Sequence, residues 1–139
     1  MTLTSFIVLE EIKQKIYTIR GIKIILDYDL AALYQVETKV LNQTVKRNIN
    51  RFPSSKYMFR LTKDEWVSLR SQIVTLEEGR GQHRKYFPYA FTEYGTIQLS
   101  SLLNSDIAIK VNHLIIDVFV ELRTPILIDP SHELLYEKI

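Results

Sequence analysis

The stretch 28–52 constrains the fold of this chain most, because it holds two helical patterns separated by only three residues. The first pattern covers about 28–35, and the second covers about 39–51 and ends at Pro53. The apolar residues of the first pattern are Leu30, Leu33 and Tyr34. Those of the second form one helical stripe: Leu41, Val45, Ile49 and Phe52. Two short amphipathic helices joined by the turn 35–37 are typical of a helix-turn-helix.

Local signals support these two helices. Asp27 is predicted to cap the first helix and Thr38 the second, because short oxygen-bearing side chains accept the unpaired N–H groups of a first turn. Ala31 is small enough for the helices to cross closely. Gln35 stands where such a turn usually has glycine, and a left-handed conformation there costs about 1 kcal/mol.

The remaining patterns predict an α+β fold with a small antiparallel sheet. Runs of β-branched residues at 16–19 and 23–26 predict a hairpin in which Gly21 supplies the positive φ. A further strand is expected at 57–61. Residues 86–91 should form an edge strand, because Pro88 lacks the N–H that a ladder needs. The aromatic side chains of 86–91 are predicted to pack in the core, in preference to stacking on single-stranded bases.

Further helices are predicted around this sheet. A short helix or irregular lead-in covers 6–14, and the Thr62…Glu65 capping box begins a helix over 63–75. Thr92 begins another helix that ends near 103, and Asn104 or Ser105 caps a long one over 106–123. A polar loop is expected at 76–85. The domain is predicted to span 1–124, with 125–139 as a tail or the start of a further helix.

The long helix has two apolar stripes. The first comprises Ile107, Val111, Leu114, Val118 and Leu122. The second comprises Ile109, Ile116 and Val120. A helix that is apolar on two sides is buried on two sides. The second stripe therefore predicts either burial inside the domain or a homodimer formed through the C-terminal helices.

Composition places the chain among globular domains. It has 139 residues, of which 46% are hydrophobic and 24% charged, which fits one domain. It has no cysteine, so neither disulfides nor thiol chemistry is expected, and a reducing cytoplasm is the expected compartment. No apolar run approaches the length of about 20 residues that a bilayer requires, so no membrane span is expected. No basic leader precedes the first apolar stretch, so no secretory signal is expected either.

Positive charge is concentrated in two segments, although the formal net charge is only +2. Residues 38–60 contain six basic residues and no acidic one, and three more lie in 79–90. This distribution is typical of a protein that binds a polyanion. The alternative is a solvated basic face without a partner.

The second helix of the pair carries amide and basic side chains on its outer face. Asparagine and glutamine pair with adenine through two hydrogen bonds, and lysine and arginine bind guanine or phosphate. The predicted DNA contacts on or beside this helix are Thr38, Lys39, Asn42, Gln43, Lys46, Arg47, Asn50 and Arg51. Those in the loop are Arg80, Arg84 and Lys85. We predict double-stranded DNA as the partner and a nucleoid-associated location in the cytoplasm.

Eight strings in order resemble the KilA-N-related DNA-binding domains, specifically the ORF-six N-terminal domain group of phage and bacterial proteins. They are IRG (19–21), LDYDLAALY (26–34), VETKVLNQTVKRN (36–48), RFP (51–53), MFRLT (58–62), LRSQI (69–73), PYAFTEYG (88–95) and LSSLLNS (99–105). The resemblance covers about 15–123. It implies a sequence-specific DNA-binding domain of a phage-derived transcription regulator or antirepressor. The group commonly has Gly at the position of Gln35 and Gln at that of Tyr94.

Two other functions fit parts of the sequence. An antirepressor can act as a protein-interaction module that binds a repressor protein, in which case the basic face has little affinity for DNA. A metal-dependent nuclease would use Asp27, Asp29 and Glu37 with Lys39. Those nuclease residues normally lie on strands, whereas Glu37 precedes a predicted helix. We therefore expect neither an enzyme nor a cofactor or metal.

Overall fold

A computed structural model of the chain describes residues 3–73 and 86–123, with side chains from residue 8 onward. The predicted loop 76–85 and the predicted tail 125–139 lie outside the described residues. The described helices are α1 (Leu3–Gln14), α2 (Asp27–Tyr34), α3 (Thr38–Arg47), α4 (Lys63–Arg70), α5 (Glu93–Leu102) and α6 (Asp106–Arg123). The strands are β1 (Ile16–Ile19), β2 (Ile22–Leu26), β3 (Met58–Arg60) and β4 (Tyr89–Phe91). The predicted α+β class is confirmed.

The four strands form one antiparallel sheet in the order β1-β2-β4-β3. The prediction of an edge strand at 86–91 is wrong, because β4 lies between β2 and β3. Pro88 precedes the first paired residue, so its missing N–H does not interrupt the ladder. Its carbonyl accepts the N–H of Leu61 at 3.0 Å.

The predicted hairpin is confirmed, with a shorter turn than expected. Arg20 and Gly21 have φ of 55° and 74°. Positive φ at both central residues is the type I′ turn that matches the twist of paired strands. The sequence pattern places Ile22 in the turn, whereas it belongs to β2 and pairs with Ile19.

The sheet separates two hydrophobic clusters, because successive side chains of a strand point to opposite faces. Ile25 and Phe91 face the larger cluster, which α1, α2, α3, α5 and α6 complete. Leu26 and Ala90 face the smaller cluster, which includes Trp66 of α4. The sheet is thus covered on both faces.

Helices α2 and α3 form the predicted pair, with differences at their ends. Gln35 adopts φ 60° and ψ 43°, the predicted left-handed conformation. Asp27 and Thr38 are first helical residues, so the prediction that they are N-caps is wrong; neither N-cap position has a side-chain cap hydrogen bond. The α-helical hydrogen bonding of α3 ends at Arg47, and a 3₁₀ turn follows. This change of period leaves Ile49 52% exposed, against the prediction that it packs in the apolar stripe.

The other predicted caps are present. Thr62 and Glu65 form the reciprocal capping box of α4, which ends earlier than predicted. Thr92 caps α5 by accepting the N–H of Gly95. Of the two candidates for α6, Ser105 accepts the N–H of Ala108. Short-range hydrogen bonds of this kind depend on residues three apart, which is why the sequence predicts them.

Helix α6 packs against α1, α2 and α5. Its buried residues are Ala108, Asn112, Ile115, Val118 and Phe119. The first predicted stripe is therefore partly wrong: Ile107 is 42% exposed, because the buried face centres on Ala108 and Phe119. The hydroxyl of Tyr34 donates to Oδ1 of Asn112 at 2.5 Å, and burial raises the pKa of that hydroxyl. Of the helices that the structure describes, none has the length and apolarity to span a bilayer.

Candidate nucleic-acid interface

Helix α3 has one buried face and one exposed polar face. Leu41 and Val45 are buried in the larger cluster. Lys39, Gln43 and Lys46 are exposed and fall within about 60° of one another on the helix surface at 100° per residue. None of the ten residues of α3 is acidic. The helix therefore presents two cations and an amide to solvent on one side.

This exposed face borders a groove between α3 and the strands β3 and β4, with a volume of about 680 Å³. We call it the α3 groove. It is lined by Asp27, Lys39, Asn42, Gln43, Val45, Lys46, Ile49, Met58, Arg60, Tyr86, Phe87 and Tyr89. Of these described residues, Asp27 is the only acidic one, and it is 2% exposed. The accessible charge in the groove is therefore positive.

Arg60 lies in the groove although it is not among the DNA contacts that the sequence predicts. It pairs with Tyr89 across β3 and β4. Its guanidinium carbon lies 4.4 Å from the ring centre of Tyr89 and 5.4 Å from that of Tyr86. A guanidinium over aromatic rings keeps its charge and its donors while its orientation is restricted. The sequence of β3 carries a signal for this position, because side chains alternate between the two faces of a strand. Arg60 lies on the same face as Met58 and opposite to buried Phe59.

The floor of the groove is a hydrogen-bond network centred on Asp27. Its Oδ2 accepts from Nδ2 of Asn42 at 3.0 Å and from the backbone N–H of Tyr89 at 3.2 Å. Its Oδ1 accepts the N–H of Tyr28 at 2.7 Å. One carboxylate thus joins the start of α2, the middle of α3 and the start of β4. Asn42, a predicted base-reading residue, uses its amide N–H₂ within the fold.

The other predicted DNA contacts occupy different positions. Arg47 and Asn50 are exposed but do not line the groove, and Thr38 is half-buried at the first position of α3. Arg51 donates to Oγ of Ser101 in α5 at 2.8 Å and does not line the groove. The structure therefore brings Lys39, Gln43 and Lys46 together with Arg60. Three predicted contacts, Arg80, Arg84 and Lys85, lie outside the described residues.

The aromatic residues of 86–91 differ in burial before and after Pro88. Phe91 is buried in the core, as predicted. Tyr86 and Phe87 are 59% and 38% exposed, so the prediction that they pack in the core is wrong. The alternation over 86–91 predicts a strand, but β4 begins only at Tyr89. Both rings lie at the α3 groove beside Arg60.

The carboxylates considered for a nuclease have different surroundings. Asp27 is held in its network, and Oδ1 of Asp29 lies 3.7 Å from Nζ of Lys15. Glu37 is the N-cap residue of α3, and both it and Lys39 are exposed. Over residues 3–73 and 86–123, no group of three His, Asp or Glu side chains is placed to hold a metal ion.

Comparison with known protein families finds a match over most of the described chain. The family model described as the ORF6N domain matches residues 14–102, which include α2, α3, the whole sheet and α5. Neither the curated proteins nor the solved structures include one that matches this chain significantly.

Proposed function

The chain belongs to the ORF6N domain family, within the KilA-N-related group of phage and bacterial proteins, and we propose that it binds duplex DNA through α3. The observation that carries this proposal is the exposed face of α3, where Lys39, Gln43 and Lys46 lie together with no acidic side chain. The opposite face of the helix is fixed in the core, so its orientation is set before DNA is bound.

In this proposal α3 enters the major groove, which is wide enough for an α-helix. Gln43 reads a base edge, because its amide both donates and accepts. Lys39 and Lys46 bind phosphates on either side of Gln43. Arg60 reaches the DNA backbone from β3, where its two tyrosine neighbours hold the guanidinium.

Membership of the same family supports a regulatory role. A domain that recognises a DNA site suits a transcription regulator or an antirepressor of phage descent. We propose that it acts without a cofactor or a chemical step, on the nucleoid. DNA-binding supplies the regulation, by occupying a site that another protein would use.

The salt dependence of DNA affinity tests this proposal. Four basic side chains are available to phosphates (Lys39, Lys46, Arg47 and Arg60), which predicts a slope of log K against log salt of about −3 to −4 per domain. The measurement is a titration of a selected site and a scrambled duplex at several salt concentrations. Tighter binding to the selected site, with that slope on both, is the expected result. Absence of binding at low salt would contradict the proposal.

A second function is favoured by one observation. The rings of Tyr86 and Phe87 are exposed beside Arg60, and exposed aromatic and arginine side chains are common at the centres of protein interfaces. If duplex DNA does not bind, we propose that the α3 groove binds a protein such as a repressor. Substituting Phe87 by Ala would then abolish capture of the repressor, whereas Lys46→Ala would reduce it less.

A further inference from the structure

Helix α6 exposes an apolar stripe beside its buried face, on the side next to α5. Ile109 and Val120 are 44% and 43% exposed, and Ile116 between them is half-buried. Ile97 of α5 is 43% exposed and shares with this stripe a groove of about 480 Å³. Single exposed apolar residues are ordinary, but an aligned set marks an interaction surface.

The spacing of this stripe is that of a coiled-coil seam. Positions alternate at three and four residues along the entire helix, and such a 3.5-residue repeat faces a partner helix continuously. The seam consists of Asp106, Ile109, His113, Ile116, Val120 and Arg123. It is apolar at its centre, except for His113, and carries opposite charges at its two ends.

We infer that two copies of the chain pair along this seam, with their α6 helices antiparallel and related by a two-fold axis. The antiparallel register places Asp106 opposite Arg123 of the second copy, Ile109 opposite its Val120 and His113 opposite its Ile116. Each of these three residue pairs occurs twice in the dimer, as a two-fold interface requires. The charge pattern selects this direction, because parallel helices would place aspartate against aspartate and arginine against arginine.

The end charges are available for such a pairing. Asp106 is exposed in the first turn of α6. Arg123 bonds Glu93 with Nη1 3.0 Å from Oε1, yet 61% of its side chain remains exposed. A guanidinium has five N–H donors, so it binds a second carboxylate without releasing the first. A polar side chain within the seam, here His113, is a known means of fixing register.

This pairing does not rest on the proposed DNA function. It lies on α6, whereas the α3 groove lies between α3 and the sheet. Its consequence for that function is that each assembly carries two copies of α3, which suits two half-sites of a palindromic DNA sequence.

Sedimentation velocity of the full chain tests the pairing, and the expected result is a dimer at tens of micromolar. Ile109→Glu should produce a monomer, while Val67→Glu, an exposed apolar residue of α4, should leave the dimer intact. Asp106→Arg should raise the dimer dissociation constant about tenfold or more. Its control is Asp64→Arg, because Asp64 is also an exposed first-turn aspartate and loses the same helix-end interaction.

Cross-linking tests the register, since the chain contains no cysteine of its own. In a mixture of Ile109→Cys and Val120→Cys chains, a short bis-maleimide should link position 109 to position 120 of the other copy. Ile109→Cys alone should give little cross-linked product. A monomeric parent chain would overturn the proposal, since the seam would then be covered by the chain itself or by another protein. A dimer insensitive to Ile109→Glu, or efficient linkage of 109 to 109, would also overturn it.

Discussion

Nδ2 of Asn42 donates a 3.0 Å hydrogen bond to Oδ2 of Asp27, a carboxylate that is 2% exposed. The partners lie on different helices, so this bond fixes α3 against α2. Gln43, the next residue, is exposed. Two adjacent amides of similar chemistry therefore have different roles, one within the fold and one toward solvent.

Alanine substitutions separate these roles. Asn42→Ala should lower the free energy of unfolding by about 1–3 kcal/mol, because it leaves a buried carboxylate with one donor fewer. Gln43→Ala should leave stability unchanged and reduce discrimination between the selected and scrambled DNA by about 1–3 kcal/mol. Chemical denaturation and binding titrations measure the two effects. If Gln43→Ala discriminates as the parent does, α3 does not read bases through this residue.

Arg60 and Lys46 should each contribute a phosphate contact. Their substitution by Ala should weaken binding to every duplex alike and make the salt slope about one unit shallower per residue. Arg51→Ala is the matched control, because the Arg51 guanidinium is engaged by Ser101 of α5. Equal slopes for the parent and Arg60→Ala would exclude the strand from the interface.

The stability of the domain should fall at acid pH as Glu65 becomes protonated. Hydrogen bonds from Arg20, of 2.7 Å and 3.1 Å, lower the pKa of Glu65 from 4.5 to about 2. Because the pKa is lower in the folded chain, this stabilisation is complete above pH 4.5 and is lost as the pH falls toward 2.

Glu65→Gln isolates that effect, since glutamine still serves a capping box. At neutral pH it should cost about 1 kcal/mol, the scale of an exposed ion pair, because Arg20 is 41% exposed. Denaturation between pH 6 and 2 should show a smaller acid-dependent loss for the variant than for the parent. Identical pH profiles would show that the pair does not stabilise the fold.

Gln35→Gly should stabilise the domain. Gln35 holds φ 60°, which strains a side-chain-bearing residue by about 1–2 kcal/mol. Glycine removes the strain, but it also increases the conformational entropy of the unfolded chain, which lowers the free energy of unfolding by about 0.4–1 kcal/mol. A net gain of about 0.5–1 kcal/mol, measured by denaturation, is expected. Gln35→Ala retains the left-handed strain, so it should not produce the gain.

Gly95→Ala should be strongly destabilising. A Cβ atom at Gly95 would overlap the backbone carbonyl oxygen of Tyr57, which accepts the N–H of Thr92 at 3.1 Å. Backbone must move to admit the methyl group, and overpacking of this kind costs about 1–3 kcal/mol. Ser100→Ala, at an exposed position of the same helix, is the control. A thermal melt of Gly95→Ala equal to that of the control would contradict the packing.

Local sequence determined several turns and helix caps of this fold. The hairpin at Arg20 and Gly21, the left-handed Gln35 and the caps at Thr62, Thr92 and Ser105 were all readable. Each depends on residues within a few positions of one another, so the interaction that forms it is encoded in one short string. The apolar stripe over 41–52 was readable too: Leu41, Val45 and Phe52 are buried as predicted, and only Ile49 is exposed.

Only tertiary structure decided the order of the strands and the composition of the α3 groove. Pairing of β4 with β2 and β3 joins segments far apart in sequence. The sequence patterns of the strands are similar, so they do not show which strands pair. That pairing brings Arg60 and Tyr89 to α3, and it places the N–H of Tyr89 at Asp27. The sequence predicts Asn42 as a DNA contact because helical periodicity gives a side chain's direction but not its partner. The partner was a carboxylate fifteen positions earlier in the chain, which only the packed fold brings within 3.0 Å.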